Sequence, residues 1–175
     1  GNYWFSTLNS GVFYLNNSNV KLLKHPDKSG VSANSLTKDK SNKLYVGYDN
    51  GDVVSIDSIN TVSFINKGIE KYQAKVSYNS IYHNLYYSSN NELKTLNNDK
   101  LLLKEIGFTR NISEGQREGI ITSGLQKIRL YKNGLFNKNI QIGKVVRDAC
   151  FWNNQIYVAT DGGIYRCIND SLHRK

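Results

Sequence analysis

Leu44-Tyr45-Val46-Gly47-Tyr48-Asp49-Asn50-Gly51-Asp52-Val53-Val54-Ser55-Ile56-Asp57 reads as two short β-strands joined by a tight turn. Leu44–Tyr48 and Val53–Ile56 are rich in residues that suit a pleated, half-buried surface. Asn50 and Gly51 supply the positive φ angles that such a turn demands. One hairpin is marginal in water, so its weight here comes from recurrence.

The same plan returns along the chain. Trp4–Leu15 (WFSTLNSGVFYL), Leu85–Leu96 (LYYSSNNELKTL) and Ile156–Cys167 (IYVATDGGIYRC) are further copies, and Gly119–Tyr131 is a degenerate one with a shorter turn. Trp4, Tyr45 and Tyr86 follow one another at 41-residue intervals, and the later intervals are shorter, as loop-length variation produces. Further strands flank the hairpins: Ser32–Thr37 and Ile59–Ile65, Lys75–Tyr82 and Leu101–Ile106, Phe108–Ser113 and Leu135–Ile140. Numbering the strands of a unit first to fourth, residues 29–66, 67–106 and 107–143 each hold a complete set. Residues 1–28 hold only the second to fourth strands, and 144–175 only the first to third.

Four short antiparallel strands in about 40 residues is the pattern of a β-propeller blade. A β-sandwich also has strands every 8–12 residues, yet gives no reason for one hairpin sequence to recur at the same place in each set. The expectation is therefore an all-β propeller fragment of four-stranded antiparallel blades, about three full and two partial, over a single domain spanning 1–175. Such a count does not close a ring and leaves edges that invite pairing. It implies a piece of a longer propeller, or copies that meet through exposed blade edges as a homodimer. Helix is nearly absent from the pattern; Gly68–Lys75 offers one turn at most.

The residues Gly1-Asn2-Tyr3-Trp4-Phe5-Ser6-Thr7-Leu8-Asn9-Ser10-Gly11-Val12-Phe13-Tyr14-Leu15 resemble the two-component regulator propeller repeat, with its Gly-Asn, aromatic, small residue, Thr, glycine turn and apolar-aromatic strand. Asn154–Arg166 is similar to the same repeat. The Tyr45 copy departs from it with Tyr48 at the Thr position, and the Tyr86 copy with Ser89. Quinoprotein-type propellers share a similar hairpin. The resemblance implies the periplasmic or extracellular sensor portion of a hybrid two-component histidine kinase of Bacteroidetes, detecting a glycan or other nutrient. It also implies, as partners, the remainder of the propeller and downstream signalling domains.

Composition narrows the classes. The 175 residues carry a net charge of +9, yet Lys38, Lys40 and Lys43 flank a turn and the remaining Lys and Arg are dispersed. A solvated basic surface is favoured over a polyanion partner, and nucleic acid is not expected. No run of about 18 apolar residues is present, and the N-terminus shows no signal-peptide pattern. Cys150 and Cys167 fit no metal or redox spacing. Their places on the first and third strands of one unit predict free thiols. His25, His83 and His173 are scattered, so no metal or cofactor is expected.

In a meander the second-to-third turns and the fourth-to-first connections share one face. Asn9, Asp49, Asn50, Asn90, Asn91 and Asp161 fall there, with amides and carboxylates that suit sugar hydroxyls. Turn chemistry alone also selects these residues. The repeated rings Trp4, Tyr45, Tyr86 and Tyr157 fit packing between blades, whereas Trp152, beside the Asn153-Asn154 turn, is the freer aromatic. No pair of carboxylates or nucleophile motif converges. The pattern thus favours a non-catalytic ligand sensor, against a protein-interaction scaffold and, less so, a polysaccharide-acting enzyme.

Overall fold

The computed structural model describes residues 3–7, 11–16, 19–69, 71–80, 83–96, 100–103, 109, 111–115, 119–132, 135–153, 155–169 and 171–174. They form five antiparallel sheets in chain order. The first has three strands, β1 (Tyr3–Thr7), β2 (Gly11–Asn16) and β3 (Asn19–Leu23). The second holds β4 (Ala33–Lys38), β5 (Leu44–Tyr48), β6 (Val53–Ile56) and β7 (Val62–Asn66). The third holds β8 (Lys75–Asn79), β9 (Asn84–Ser89), β10 (Glu92–Thr95) and β11 (Lys100–Leu103). The fourth holds β12 (Asn111–Gly115), β13 (Gly119–Ser123), β14 (Lys127–Lys132) and β15 (Leu135–Gln141). The fifth holds β16 (Val146–Trp152), β17 (Gln155–Thr160), β18 (Gly163–Ile168) and β19 (Ser171–Arg174). Each sheet is a simple meander, and the stack is the all-β, four-stranded-blade architecture that the repeat predicts.

Alternation of side chains along each strand gives each sheet two apolar faces, one for each neighbour. Leu44, Val46, Tyr48, Val54 and Ile56 face the first sheet, where Val12, Trp4 and Leu23 meet them. The alternate residues Tyr45 and Val53 face the third sheet and pack on Ala74, Val76, Leu85 and Tyr87. Tyr86 points the other way, onto Ile112 and Tyr131 of the fourth sheet. Ile128, Leu130 and Ile140 then meet Val146, Ala149, Ile156 and Val158 of the fifth. A one-residue register slip in any hairpin would exchange these two faces.

The innermost strands β4, β8, β12 and β16 lie side by side in chain order. The free edge of β8 is satisfied by side chains of the preceding sheet. The Val76 amide donates to Ser35 Oγ at 3.1 Å and the Tyr78 amide to Thr37 Oγ1 at 3.2 Å. Lys75 Nζ donates to the Asn34 carbonyl, again across 41 residues. The spacing between Trp4, Tyr45 and Tyr86 thus reappears as a physical contact between successive sheets. β1 lies against β4 as β5 lies against β8 and β13 against β16, which gives β1 the place of a second strand.

The described residues of 68–75 cross irregularly from β7 to β8, within the one turn at most that the sequence allows. One expectation is corrected. Residues 144–175 hold four strands instead of three, because Ser171–Arg174 pairs with β18, Cys167 opposite Leu172 and Arg166 opposite His173. Leu172 is the reason: it packs on the cluster shared with the fourth sheet and anchors an otherwise polar strand. His173 is therefore a strand residue.

Candidate ligand-binding site

The second-to-third turns and fourth-to-first connections do share one end of the stack, and their polar residues bind one another. Asp52, on the β5–β6 turn, is 5% exposed and gathers three donors. His25 Nε2 lies 2.9 Å from Asp52 Oδ2, Asn50 Nδ2 donates to the same oxygen at 2.7 Å, and the Gly68 amide donates to Oδ1. His25 Nδ1 accepts from the amides of Asp27 and Lys28, which leaves Nε2 as the protonated nitrogen that donates to Asp52. The ring stacks edge-on against Tyr48 at a centroid distance of 4.6 Å. Burial, and then the Asp52 charge, push the Tyr48 phenol up to about 12, so it stays neutral.

The residues singled out from sequence fall into this lattice one after another. Asp49 accepts from the Ser32 amide of the preceding connection. Asn50 is buried and closes on Asp52 from both ends, its Oδ1 accepting from the Asp52 amide. Asn90 accepts from the Ile69 amide and donates to the Lys67 carbonyl, tying the third sheet's turn to the connection before it. Asn90 and Asn91 both hold positive φ, 52° and 64°, where Asn is favoured among non-glycine residues. Asp161 forms an ion pair with Arg147 Nε. Asn9 lies outside the described residues.

Trp152 stands apart. It ends β16, next to the β16–β17 turn, and so lies at the opposite end of the fifth sheet from Asp161. It is 61% exposed and meets Tyr157 edge-to-face at 5.5 Å. The two rings wall a groove of about 300 Å³, floored by Ala159 and Cys150 and flanked by Asp148 and Ile164. Tyr157 occupies the repeat position of Tyr45 and Tyr86. Those two rings are covered by the next sheet, 5% and 1% exposed, whereas Tyr157 is only half-buried and meets Trp152 of its own sheet. Asp148 Oδ1 is held by Asn111 Nδ2 at 2.6 Å and by the Ala149 amide.

Burial and the neighbouring Asp148 charge push the Cys150 thiol up, away from the thiolate that nucleophilic chemistry requires. Cys150 lines the groove while Cys167 packs on the opposite face, and both are free thiols. Among the described residues no three His, Cys, Asp or Glu side chains gather as metal ligands. The His25–Asp52 pair, which sequence reading passed over, is enclosed by Tyr48 and Phe64 and serves the loop lattice. Its only sequence signal is that His25 and Asp52 each border a connection or turn at one end of the stack.

No family model and no curated protein matches the chain in sequence. Solved structures do match it. The WD40 β-propeller domain of Doa1 superposes with a TM-score of 0.75 at 12% identity, over 98% of this chain and 63% of that one. The extracellular domain of the putative hybrid two-component system BT3049 from B. thetaiotaomicron gives 0.72 at 16% identity, over 99% of this chain and 27% of that one. A catalytically inactive virginiamycin B lyase from Staphylococcus aureus gives 0.75 at 10% identity, over 100% of this chain and 74% of that one. The chain thus spans under two thirds of the Doa1 domain and about a quarter of the BT3049 extracellular domain. At these identities the likenesses show the fold, and that fold is the β-propeller.

Proposed function

We propose that this chain is a non-catalytic recognition segment of a sensor-type propeller, of the two-component class, that detects an extracellular or periplasmic glycan or nutrient. The observation that supports it is the exposed Trp152, held edge-on by Tyr157 beside a shallow groove with a carboxylate at its rim. An apolar ring face for the C–H side of a sugar and a convergent polar group for its hydroxyls are what such a ligand needs. The likeness to the BT3049 extracellular domain supports the same class. Asp49, Asn50 and Asn90 serve as framework in this reading, because their side chains already bond neighbouring loops.

The test is calorimetric titration of the chain with a panel of soluble oligosaccharides. Trp152→Ala is expected to weaken the bound member at least about tenfold, some 1.4 kcal/mol, while Asp161→Asn leaves affinity unchanged. Absence of any glycan binding, or indifference to Trp152→Ala, would sink the assignment.

A second reading, a scaffold for protein partners, is favoured by one observation. Tyr157, Ala159 and the 59%-exposed Ile164 line a sheet face whose counterparts in earlier sheets are covered by protein. Under it, hydrogen exchange in a complex would slow across β17 and β18 together, not only beside Trp152.

A further inference from the structure

The innermost strands carry a half-buried cation with no counter-charge. Lys75 opens β8 at the end of the stack where the connections lie, whereas Trp152 closes β16 at the other end. β8 lies between β4 and β12, so the surroundings of Lys75 come from the interior of the chain. Its Nζ donates to the Asn34 carbonyl at 3.2 Å. An ammonium can donate three times, so this one bond leaves it under-used. Lys67, Lys94 and Arg147 each meet a carboxylate, of Asp27, Glu92 and Asp161. Lys75 meets none among the described residues, and burial alone pushes its amine below the ordinary lysine range.

Asn34 owes its place to a bulge. Ala33 stands opposite Tyr48 and Ser35 opposite Gly47, so Asn34 is the extra residue on β4. Its carbonyl accepts from Lys75, and its carboxamide is enclosed with neither Oδ1 nor Nδ2 bonded. Ser35 beside it is committed, donating to the Ala74 carbonyl and accepting from the Val76 amide. In the fifth sheet the matching bulge falls at Arg147, and there Asp161 meets the charge.

We infer that Lys75 and Asn34 form a binding site for a small α-hydroxy carboxylate, separate from the Trp152 groove. The ammonium selects an anion, because a half-buried cation gains most from a partner that cancels its charge and accepts its N–H bonds. The carboxamide holds a donor atom and an acceptor atom side by side, so it selects a ligand with an acceptor next to a donor. A carboxylate with a hydroxyl on the neighbouring carbon is such a ligand. Lys75 Nζ and Asn34 Nδ2 then donate to the carboxylate, and Asn34 Oδ1 accepts from the hydroxyl. Turning the carboxamide toward the ligand breaks no hydrogen bond, since neither atom makes one, and its terminal torsion is soft. Sulfate, which offers acceptors only, would leave Oδ1 unbonded.

The test follows the full chain by NMR, reading the Lys75 Cε–Hε cross-peak during titration with glycolate. A saturable shift is expected. Glycolamide, the neutral analogue, should bind at least about tenfold more weakly. Acetate, which lacks the hydroxyl, should bind about threefold to tenfold more weakly. Lys75→Gln and Asn34→Ala should each lower glycolate affinity about tenfold. Lys71→Gln, at an exposed lysine of the preceding connection, should leave it unchanged. The analogues act on the unsubstituted chain, so they decide the matter even where a variant fails to fold. Equal binding of glycolate and glycolamide, equal shifts at Lys71 and Lys75, or no saturable shift would overturn the inference. So would undiminished affinity in Asn34→Ala.

Discussion

His25 shows how one side chain can join elements distant in sequence. Its Nε2 reaches Asp52, 27 residues on, and its Nδ1 collects two amides of its own connection. Replacing it by Phe keeps the ring against Tyr48 and Phe64 but removes a donor to a buried carboxylate. His25→Phe is expected to lower stability by about 1.5–3 kcal/mol, seen as a lower urea midpoint at unchanged slope. An unchanged midpoint would mean that Asn50 and the Gly68 amide suffice for Asp52. A lone histidine before a proline carries no periodicity and no motif, so this contact was not legible. The tyrosines were: rings recurring at 41 residues were expected between sheets, and Tyr45 and Tyr86 lie there.

At the scale of elements, the hairpins were legible and the connections were not. Leu44–Tyr48 and Val53–Ile56 form strands with the bounds expected of them, since alternation and turn chemistry act within a few residues. The 67–74 connection depends on what it touches. Gly68 approaches the preceding turn so closely that an added Cβ would stand 2.2 Å from the Asn50 carbonyl oxygen and 2.4 Å from the Gly51 carbonyl carbon. Gly51 faces it at φ 87°. Two glycines in separate segments thus let two backbones meet and let the Gly68 amide reach Asp52. Gly68→Ala is predicted to cost about 1–3 kcal/mol, measurable by thermal unfolding; an unchanged Tm would refute this packing. The same lattice explains why Asp49, Asn50 and Asn90, selected from sequence as polar turn residues, have bonding partners within the fold. The turn position was legible, but the partner in the next connection was not. β19 was missed because a single apolar residue, Leu172, holds it.

For the whole molecule, the account rests on sheets stacked in chain order, each presenting odd and even residues of one hairpin to different neighbours. That arrangement leaves Trp152 exposed and Tyr157 half-buried on the groove face of the fifth sheet, while the equivalent Tyr45 and Tyr86 are enclosed. The proposed recognition site derives from that surface, so the stacking order is the claim to test first. Methyl–aromatic NOE spectroscopy tests it most directly. The account predicts cross-peaks from the Tyr45 ring to Val76, from the Tyr86 ring to Ile112, and none from Tyr157 to any methyl of the first four sheets. Cross-peaks from Tyr45 and Tyr86 to one common set of methyls, as a two-sheet sandwich would give, would contradict it.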